Sequence, residues 1–497
     1  MIKIYNSLSR KKEVIKPLKG KKINLFVCGP TVYDYSHIGH ARTYIIFDCF
    51  VKYLKHLGFK VFYLQNITDI DDKIILRAKE KGVSPKILAE VFTKEHLKDM
   101  TKMGITSVSK YAKATNYIKE IISQIQRLLD KGYAYQLNDG VYYDISKFKD
   151  YGKLSGRTAL EAEDSISRID YSKNKKNRGD FCLWKLNQHS EEPSWPSPFG
   201  KGRPGWHIED TAITEKFFGS QYDIHGGARD LLFPHHEAEV AQMEAISGKK
   251  PLAKYWMHTG FLTFESQKMG KSLNNFITIN DFLKMNSYRH LRFLIAKNLW
   301  GSPINYSESA IIEARSGLER IEEFLRKIKN QKLKIKNIPI SSRTLDADSI
   351  EHSRQSRNKV GAHQKLKIII KKTKGDFYKN LNDNFNTPKA FAVIFDMINE
   401  MNKILDLPAQ AGKNVISKKS ANDIYRFFEE INKIFSIIDF KKLKQIAIPK
   451  KIKGLLKERE NYRKSNDWKK ADELRMQIES YGYLTEDTKE GTILKRA

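Results

Sequence analysis

The sequence has few cysteines and no long hydrophobic run. Only Cys28, Cys49 and Cys182 occur among 497 residues, and this odd, sparse set excludes a disulfide framework and favours a reducing compartment. No stretch of about 18 apolar residues is present, so no membrane-spanning helix is expected. The first six residues lack the apolar core of a secretory signal. We therefore expect a cytoplasmic protein.

Acidic residues are scarce beside basic ones. Lys and Arg number 89 against 58 Asp and Glu, which gives a formal charge of +31. This excess favours a polyanionic partner such as nucleic acid, although a lysine-rich composition that only maintains solubility would give the same balance. A hydrophobic fraction of 40% is sufficient to form buried hydrophobic cores. The length of 497 residues predicts several domains.

A strand-to-helix crossing near the N-terminus holds the first candidate site. The apolar residues 23–27 predict a buried strand and residues 43–54 a helix with one apolar face. Between them, Gly39 separates His37 from His40. Ligands bind at the carboxyl ends of parallel strands, and helix starts attract phosphate. We predict that both histidines stabilise charge on the phosphates of ATP; two histidines in a polar turn are the alternative.

A second polar loop lies far downstream, QKMGKS at residues 267–272. It is not a Walker A loop, because Glu265 occupies the position of the first glycine. The two motifs, in this order and this far apart, resemble those of the class I aminoacyl-tRNA synthetases. The resemblance implies that Lys268 and Lys271 neutralise charge on ATP during attack by the amino acid carboxylate. Gly270 stands where that family usually has serine, so we expect slower or looser loop closure.

Further segments narrow the resemblance to the cysteinyl-tRNA synthetase family. They are NITDIDDKI (66–74), PSWPSP (193–198), GWHIE (205–209), DIHGG (223–227) and FPHHE (233–237). The similarity runs nearly end to end and thins around residues 330–375. It implies ATP-dependent ligation of L-cysteine to tRNA(Cys) through a cysteinyl-adenylate. It also implies Mg²⁺ with ATP, one zinc ion and a monomer.

Strand and helix patterns alternate at the beginning and again at the end of the first 280 residues. This alternation predicts an α/β fold with a parallel sheet. With the resemblance, we expect a Rossmann-like catalytic domain split by a connective insertion, then a helical bundle that binds tRNA and a small α+β domain that reads the anticodon. The expected catalytic halves are residues 1–115 and 205–281, with the insertion at 116–204 between them. A stem-contact helical region is expected at 282–327, followed at 328–375 by a charged insertion of unknown role, partly disordered or helical. The bundle is expected at 376–450 and the last domain at 451–497.

A metal site is predicted from His235 and Glu239. Their four-residue spacing would place both on one face of a helix over residues 234–247, and imidazole with carboxylate is a metal-binding pair. The resemblance adds Cys28, and it places the fourth zinc ligand at Asp210, where the best-known members have cysteine. Carboxylate oxygen is an acceptable zinc donor, but Asp210 as a helix cap is an equal alternative. Zinc would select cysteine over serine by binding its thiolate, without an editing domain.

The remaining candidate residues come from the resemblance. Cys28, Thr68 and Trp206 are expected to bind the amino acid, with Thr68 near its amino group and Trp206 either a pocket wall or plain packing. For ATP the candidates are Thr31, Gly39, His40, Gly226, Lys271 and Asp230, of which Asp230 could equally be a helix cap. Arg463, Trp468 and Asp472 match anticodon-reading residues, since aromatic and Arg side chains stack on unpaired bases; a hairpin in which Trp468 merely packs is the alternative.

Three aspartates after the second predicted strand, Asp69, Asp71 and Asp72, are acceptable metal ligands. We favour a helix N-cap and first-turn charges for them instead. Two other functions are compatible with the sequence. A ligase that attaches cysteine to a small amine is disfavoured by the tRNA-binding C-terminal part. A weakened RNA-binding relative, suggested only by Asp210 and Gly270, is disfavoured by the intact histidine and lysine pairs.

Overall fold

The computed structural model of the protein describes residues 1–157, 174–187, 192–264, 267–268, 276–336, 351–405, 416–441, 443, 450–488 and 491–496. These residues belong to two units, Met1–Ile438 and Asp439–Ala497. None of the helices in the described ranges is long and apolar enough to cross a membrane.

The first unit starts with strands and helices in alternation. In chain order they are β1 (Lys3–Asn6), β2 (Lys11–Val14), β3 (Lys22–Val27), α1 (Ile38–His56), β4 (Lys60–Ile67), α2 (Asp72–Glu80), α3 (Pro85–Lys102), β5 (Lys110–Lys113) and α4 (Ile118–Asp130). The chain continues with β6 (Ala134–Leu137), β7 (Gly140–Tyr143), β8 (Phe181–Leu186), β9 (Gly202–Pro204), α5 (Ile208–Phe218), β10 (Tyr222–Ala228), α6 (Glu237–Ser247) and β11 (Ala253–Thr259).

A five-stranded parallel sheet lies at the centre of this unit, in the order β11-β10-β3-β4-β5. Three of its strands precede β6–β9 in the chain and two come after them, so the predicted α/β fold with a split parallel sheet is confirmed. Strand β3 forms where Leu25, Phe26 and Val27 are fully buried, as expected for a strand covered on both faces. The intervening β6–β9 form a separate antiparallel sheet.

Helices dominate the rest of the first unit. The elements are β12 (Leu262–Phe264), β13 (Gln267–Lys268), α7 (Ile279–Met285), α8 (Tyr288–Ala296), β14 (Ile304–Tyr306), α9 (Glu308–Lys336), α10 (Glu351–Asn382), α11 (Thr387–Leu405) and α12 (Lys418–Phe435). The predicted helical region from about 282 to 327 contains the end of α7, all of α8 and much of α9, but the short strand β14 interrupts it and pairs in parallel with β12. The stretch 328–375 is helical wherever it is described, in α9 and α10.

The second unit consists of a pair of helices followed by a β-hairpin. Two helices, α13 (Lys450–Lys464) and α14 (Trp468–Ser480), precede the antiparallel strands β15 (Tyr483–Thr488) and β16 (Gly491–Arg496). Ile452, Ile478 and Tyr483 form its small apolar core. The predicted α+β fold of this C-terminal part is therefore confirmed.

Candidate active site

The candidate residues meet where three neighbouring strands end. Cys28 directly follows β3, and its N–H donates to the carbonyl of Gly226 in β10 over 3.0 Å. Thr68 directly follows β4, and its N–H donates to the Pro30 carbonyl over 3.1 Å. Thr31 pairs with Thr68 in an isolated bridge. The carboxyl edge of the sheet thus brings the β3, β4 and β10 candidates together, as the sequence predicts.

Three buried side chains surround the imidazole of His235. Its Nε2 lies 3.0 Å from Asp210 Oδ2, 3.3 Å from Glu239 Oε1 and 3.5 Å from Cys28 Sγ. Ligands of a tetrahedral zinc ion are about 3.3–3.8 Å apart, given bond lengths near 2.0–2.3 Å. Asp210 Oδ1 and both carboxylate oxygens of Glu239 have no hydrogen-bond partner in the described part of the chain. The donor atoms of Cys28, Asp210 and His235 lie within 4.8 Å of one another, while Glu239 forms a second such group with His225 and His236 and adjoins the first through His235. The chemistry of the first group and the orphaned oxygens therefore fit a zinc ion, with Glu239 at its border.

The electrostatics of this cluster also fit a cation. Burial raises the pKa of the Cys28 thiol, and the nearby carboxylates of Asp210 and Glu239 raise it further. Burial likewise raises the pKa of Glu239, with Asp210 and Glu209 adding to the effect. Acidic groups gathered in a buried space repel one another, and a bound divalent ion removes that cost and favours their charged forms.

The structure excludes one of the two interpretations of Asp210. Helix α5 begins at Ile208, its N-cap is His207, and Asp210 already lies inside the first turn. The Asp210 side chain is directed at His235 and Cys28. The helix-cap interpretation is therefore wrong, because the helix starts before Asp210.

His235 is oriented by His207, which the sequence analysis did not single out, and by the predicted pocket residue Trp206. Its Nδ1 lies 2.8 Å from Nδ1 of His207, so Nε2 is the nitrogen that faces the carboxylates. The half-buried Trp206 stacks on the His235 ring with centroids 4.3 Å apart. The predicted helix over 234–247 is present, but its start is a π-helical turn, Leu232–His236 with Phe233 extended, and the α-helix α6 begins at Glu237. The spacing argument for the His235–Glu239 pair holds nevertheless.

A second group of imidazoles borders Glu239. His225 Nδ1 lies 3.6 Å and His236 Nε2 4.0 Å from its carboxylate oxygens, and His236 Nδ1 lies 2.8 Å from His258 Nε2. Burial lowers the pKa of His225 and of His236 well below the usual value, so both imidazoles are neutral at pH 7. The sequence indicated that these two histidines belong to the site only through their position in the DIHGG and FPHHE segments.

Thr68 faces a buried carboxylate. Its hydroxyl donates to Glu209 Oε1, and both side chains are almost fully buried. Burial raises the pKa of Glu209, and the charge of Asp210 adds to this. The sequence analysis predicted Thr68 but missed Glu209. Their pairing needs α5 to cross the end of β4, which no local pattern reveals.

His37 and His40 shape the start of α1. The helix begins at Ile38, five residues before the predicted helical stretch, and His37 is its N-cap. Gly39 N–H donates to His37 Nδ1 over 3.1 Å, and His37 N–H donates to His40 Nδ1 over 3.3 Å. The two rings stack with centroids 3.8 Å apart. A Cβ at Gly39 would lie 2.8 Å from the His37 ring, so this glycine makes room for the histidine.

The segment after the lysine motif runs beside this helix start. Ile38 N–H donates to the Ile277 carbonyl over 3.0 Å, and Ile279 N–H donates to the Ser36 carbonyl over 2.9 Å. Lys268 ends strand β13, which pairs with β12. Lys271 and Gly270 lie outside the described residues.

The structure bears on two of the proposed ATP residues, Gly226 and Asp230. A Cβ at Gly226 would lie 2.2 Å from the Phe47 ring of α1, so glycine is needed there for packing. Asp230 is exposed in the short turn Arg229–Leu231, whose N-cap is Ala228, and the helix-cap interpretation of Asp230 is therefore wrong.

The structure supports the favoured interpretation of two of the three aspartates after β4. Asp71 is the N-cap of α2, and Asp72 lies in the first turn of that helix. Asp69 instead accepts hydrogen bonds from the N–H and hydroxyl of Thr115, at 2.9 and 2.6 Å. It therefore ties the end of β4 to the segment after β5.

The anticodon candidates lie on the helical hairpin of the second unit. Trp468, the first residue of α14, is 56% exposed, so the interpretation that it merely packs is wrong. The Arg463 guanidinium lies 6.0 Å from the Trp468 ring centroid and also pairs with Asp487. Asp472 is exposed one turn into α14.

Family models match most of the chain. Residues 14–316 match the model described as tRNA synthetases class I (C) catalytic domain, residues 376–439 the DALR domain, and residues 447–492 the cysteinyl-tRNA ligase anticodon binding domain. The stretch between 316 and 376 falls between two matches.

Curated relatives match over the whole length. A cysteine–tRNA ligase of Methanococcus maripaludis is 42% identical over 499 residues, covering 100% of this chain and 99% of the relative. One of Thermodesulfovibrio yellowstonii is 40% identical over 509 residues, covering 99% of each. Among solved structures, Mycobacterium tuberculosis methionyl-tRNA synthetase in complex with methionyl-adenylate superposes with a TM-score of 0.59 at 13% identity, over 84% of this chain and 90% of that one, a likeness of fold.

Proposed function

The chain belongs to the cysteinyl-tRNA synthetase family and ligates L-cysteine to tRNA(Cys) with ATP, and we propose that it selects cysteine at the buried cluster around His235. The observation that supports this is the approach of Cys28 Sγ, Asp210 Oδ2 and Glu239 Oε1 to His235 Nε2, at 3.0–3.5 Å. Three acidic groups without a cation are an unstable arrangement, and a zinc ion fits their chemistry.

In this proposal Cys28, Asp210, His235 and Glu239 hold zinc. When bound, zinc supplies a site that binds a thiolate far better than a hydroxyl. A pocket that recognised shape alone would distinguish cysteine from serine by only about 1–3 kcal/mol. His207, whose Nδ1 lies 2.8 Å from Nδ1 of His235, fixes that ring so that Nε2 faces the cluster, as a hydrogen-bond partner of a metal-binding histidine does. Trp206, stacked on His235, forms one wall of the amino acid pocket.

Thr68 and Glu209 are proposed to hold the amino group of the substrate. The carboxylate of Glu209 accepts from the Thr68 hydroxyl, and both open toward the same strand ends as Cys28. A buried carboxylate beside a hydroxyl offers an ammonium group charge-assisted hydrogen bonds. This places the amino group near the end of β4 and the thiol near the end of β3.

ATP is proposed to bind over the start of α1. Because Nδ1 of His40 accepts from the His37 N–H, its Nε2 carries the proton and can donate to a phosphate oxygen. Lys268 and Lys271 would neutralise further phosphate charge, and Mg²⁺ would accompany ATP with few protein ligands. Thr31, Gly39, Gly226 and Asp230 stay predictions for ATP binding. Of these, Gly39 and Gly226 already have packing reasons.

The C-terminal part is proposed to bind tRNA. Exposed Trp468, with Arg463 beside it and Asp472 one turn on, offers a stacking surface and base-edge partners for anticodon bases. The boundaries given above for the seven segments, the monomeric state and a cytoplasmic location stay predictions. The three free cysteines fit a reducing compartment.

The test is cysteine-dependent exchange of pyrophosphate into ATP, followed by charging of tRNA(Cys). The purified chain should catalyse exchange with cysteine and not with serine. Glu239→Gln should abolish exchange, whereas the control Glu90→Gln, at an exposed position of α3, should not change it. Exchange that survives Glu239→Gln while serine remains excluded would contradict selection at this cluster.

A further inference from the structure

Helix α10 presents exposed lysines along its outward side. Lys365, Lys372 and Lys379, which we call the lysine row, are all exposed. Their seven-residue spacing is almost two helical turns, so they align on one side and span about 21 Å. On the opposite side, Leu366, Phe377 and Leu381 are fully buried, and Phe377 packs edge-on against Phe427 of α12. The row therefore faces away from the bundle.

This side of α10 carries little negative charge among the described residues. Lys367 and Lys371 are also exposed, and none of these five lysines has an ion pair with a described residue. Asp376, half-buried, is the one acidic residue between positions 364 and 382. Lys374, on the inner flank, is by contrast paired with Glu430 at 2.9 Å. Some exposed lysines of other helices have partners, such as Lys98 with Glu95 at 2.6 Å, whereas Lys79, Lys86 and Lys94 of α2 and α3 have no ion pair with a described residue either. The feature that distinguishes the lysine row is therefore its alignment along one side of a single helix.

We infer that the lysine row binds the sugar-phosphate backbone of the tRNA. Lysines that align on one side of a helix and have no ion pair with a described residue suit a polyanion whose phosphates recur regularly, because each contact releases condensed counterions. An ammonium group contacts a phosphate without reading a base, so the surface positions the tRNA and does not identify it. Lys365 and Lys372 lie in the stretch that no family model matches. The inference rests on the proposed function, since tRNA(Cys) is the polyanion that this chain charges.

The test compares two triple variants with the same loss of charge. The row variant combines Lys365→Gln, Lys372→Gln and Lys379→Gln, and glutamine keeps the helix propensity. The control combines Lys79→Gln, Lys86→Gln and Lys94→Gln, at exposed positions of α2 and α3. Aminoacylation is measured against tRNA concentration at several KCl concentrations, and pyrophosphate exchange without tRNA reports whether each variant is folded and active.

The row variant should raise the KM for tRNA about tenfold or more at low salt and reduce the slope of log(kcat/KM) against log[KCl] by about 3, one per lysine. Its pyrophosphate exchange should equal that of the parent, and the control should change neither value. A row variant that matches the control would overturn the inference. That result is expected if the lysine row binds an acidic protein instead of tRNA. A parent chain that fails to charge tRNA(Cys) would contradict the proposed function as well.

Discussion

Arg292 Nη2 donates to Asp48 Oδ2 over 2.7 Å, and both side chains are fully buried. Asp48 lies on α1, the helix whose start holds His37 and His40. Arg292 lies on α8, and its Nε donates to the Phe435 carbonyl at the end of α12 over 2.7 Å. This ion pair therefore fastens the helix of the ATP site to the helical bundle.

Removing the charge of Asp48 should be costly. Asp48→Asn leaves a buried guanidinium uncompensated, and we expect the free energy of unfolding to fall by about 3–5 kcal/mol. In the control Glu95→Gln, at the exposed Lys98–Glu95 pair, the loss should be below about 1 kcal/mol. Urea unfolding followed by circular dichroism measures both. Equal losses would show that the buried pair is no more important than a surface pair.

The pH dependence of this pair has a defined sign. Burial alone would raise the pKa of Asp48, but Arg292 and Lys52 outweigh it and lower the pKa. A lowered folded pKa contributes stability above the unfolded value of about 3.9, and this contribution is lost as pH falls through the folded pKa. The difference between the parent and Asp48→Asn should thus be constant from pH 5 to 8 and shrink only below about pH 4.

Asp99 should behave in the opposite way. Neither of its carboxylate oxygens has a hydrogen-bond partner in the described ranges, and burial raises the pKa of Asp99 to about 6. The folded state then binds a proton more tightly than the unfolded state, so stability falls as pH rises from about 4 through about 6. Asp99→Asn should stabilise the protein by about 1–2 kcal/mol at pH 7.5 and by little at pH 4. A gain independent of pH, or one shared with Glu90→Gln, would contradict this origin.

His40 should act on the chemical step. His40→Ala removes an N–H donor aimed at developing phosphate charge, and such a loss lowers kcat by about 10²–10³-fold. We expect this fall in pyrophosphate exchange with little change in the KM for cysteine, because His40 lies at the start of α1 beside His37 and is not part of the cluster around His235. A fall below tenfold, or a larger effect on cysteine binding than on kcat, would contradict the assignment.

Thr68 should act on substrate binding. Thr68→Val keeps the shape but removes the hydroxyl that faces Glu209, and we expect the KM for cysteine to rise about tenfold, the equivalent of one hydrogen bond. Thr68→Ser restores the hydroxyl and should return the KM to within about threefold of the parent. A valine variant with normal KM would place the amino group elsewhere.

The sequence predicts the sheet and much of the candidate site because both depend on local signals. The apolar run ending at Val27 defines β3, so Cys28 and the histidine pair, which come next in the chain, must lie at the carboxyl edge. The four-residue spacing of His235 and Glu239 holds although the helix starts only at Glu237. Gly39 is predicted from the sequence only as an ATP residue, whereas it also accommodates the His37 ring.

Other features depend on tertiary contacts or on boundaries that sequence fixes poorly. The role of Asp210 stayed open because a start of α5 three residues earlier turns a cap into an inward-facing residue. Glu209 and His207 acquire roles only when α5 crosses the strand ends. Strand β14 was missed because three residues are too short for a pattern and its partner, β12, lies about 40 positions away in the chain.

The zinc content of the purified protein tests the central claim most directly. Measured by atomic absorption, the parent should hold about one zinc per chain, Asp210→Ala should lose most of it, and Asp210→Cys should retain it, since a thiolate is an equally good ligand. The exposed control Glu90→Gln should match the parent. A parent without zinc, or an Asp210→Ala variant that keeps as much as the parent, would contradict the assignment of this cluster.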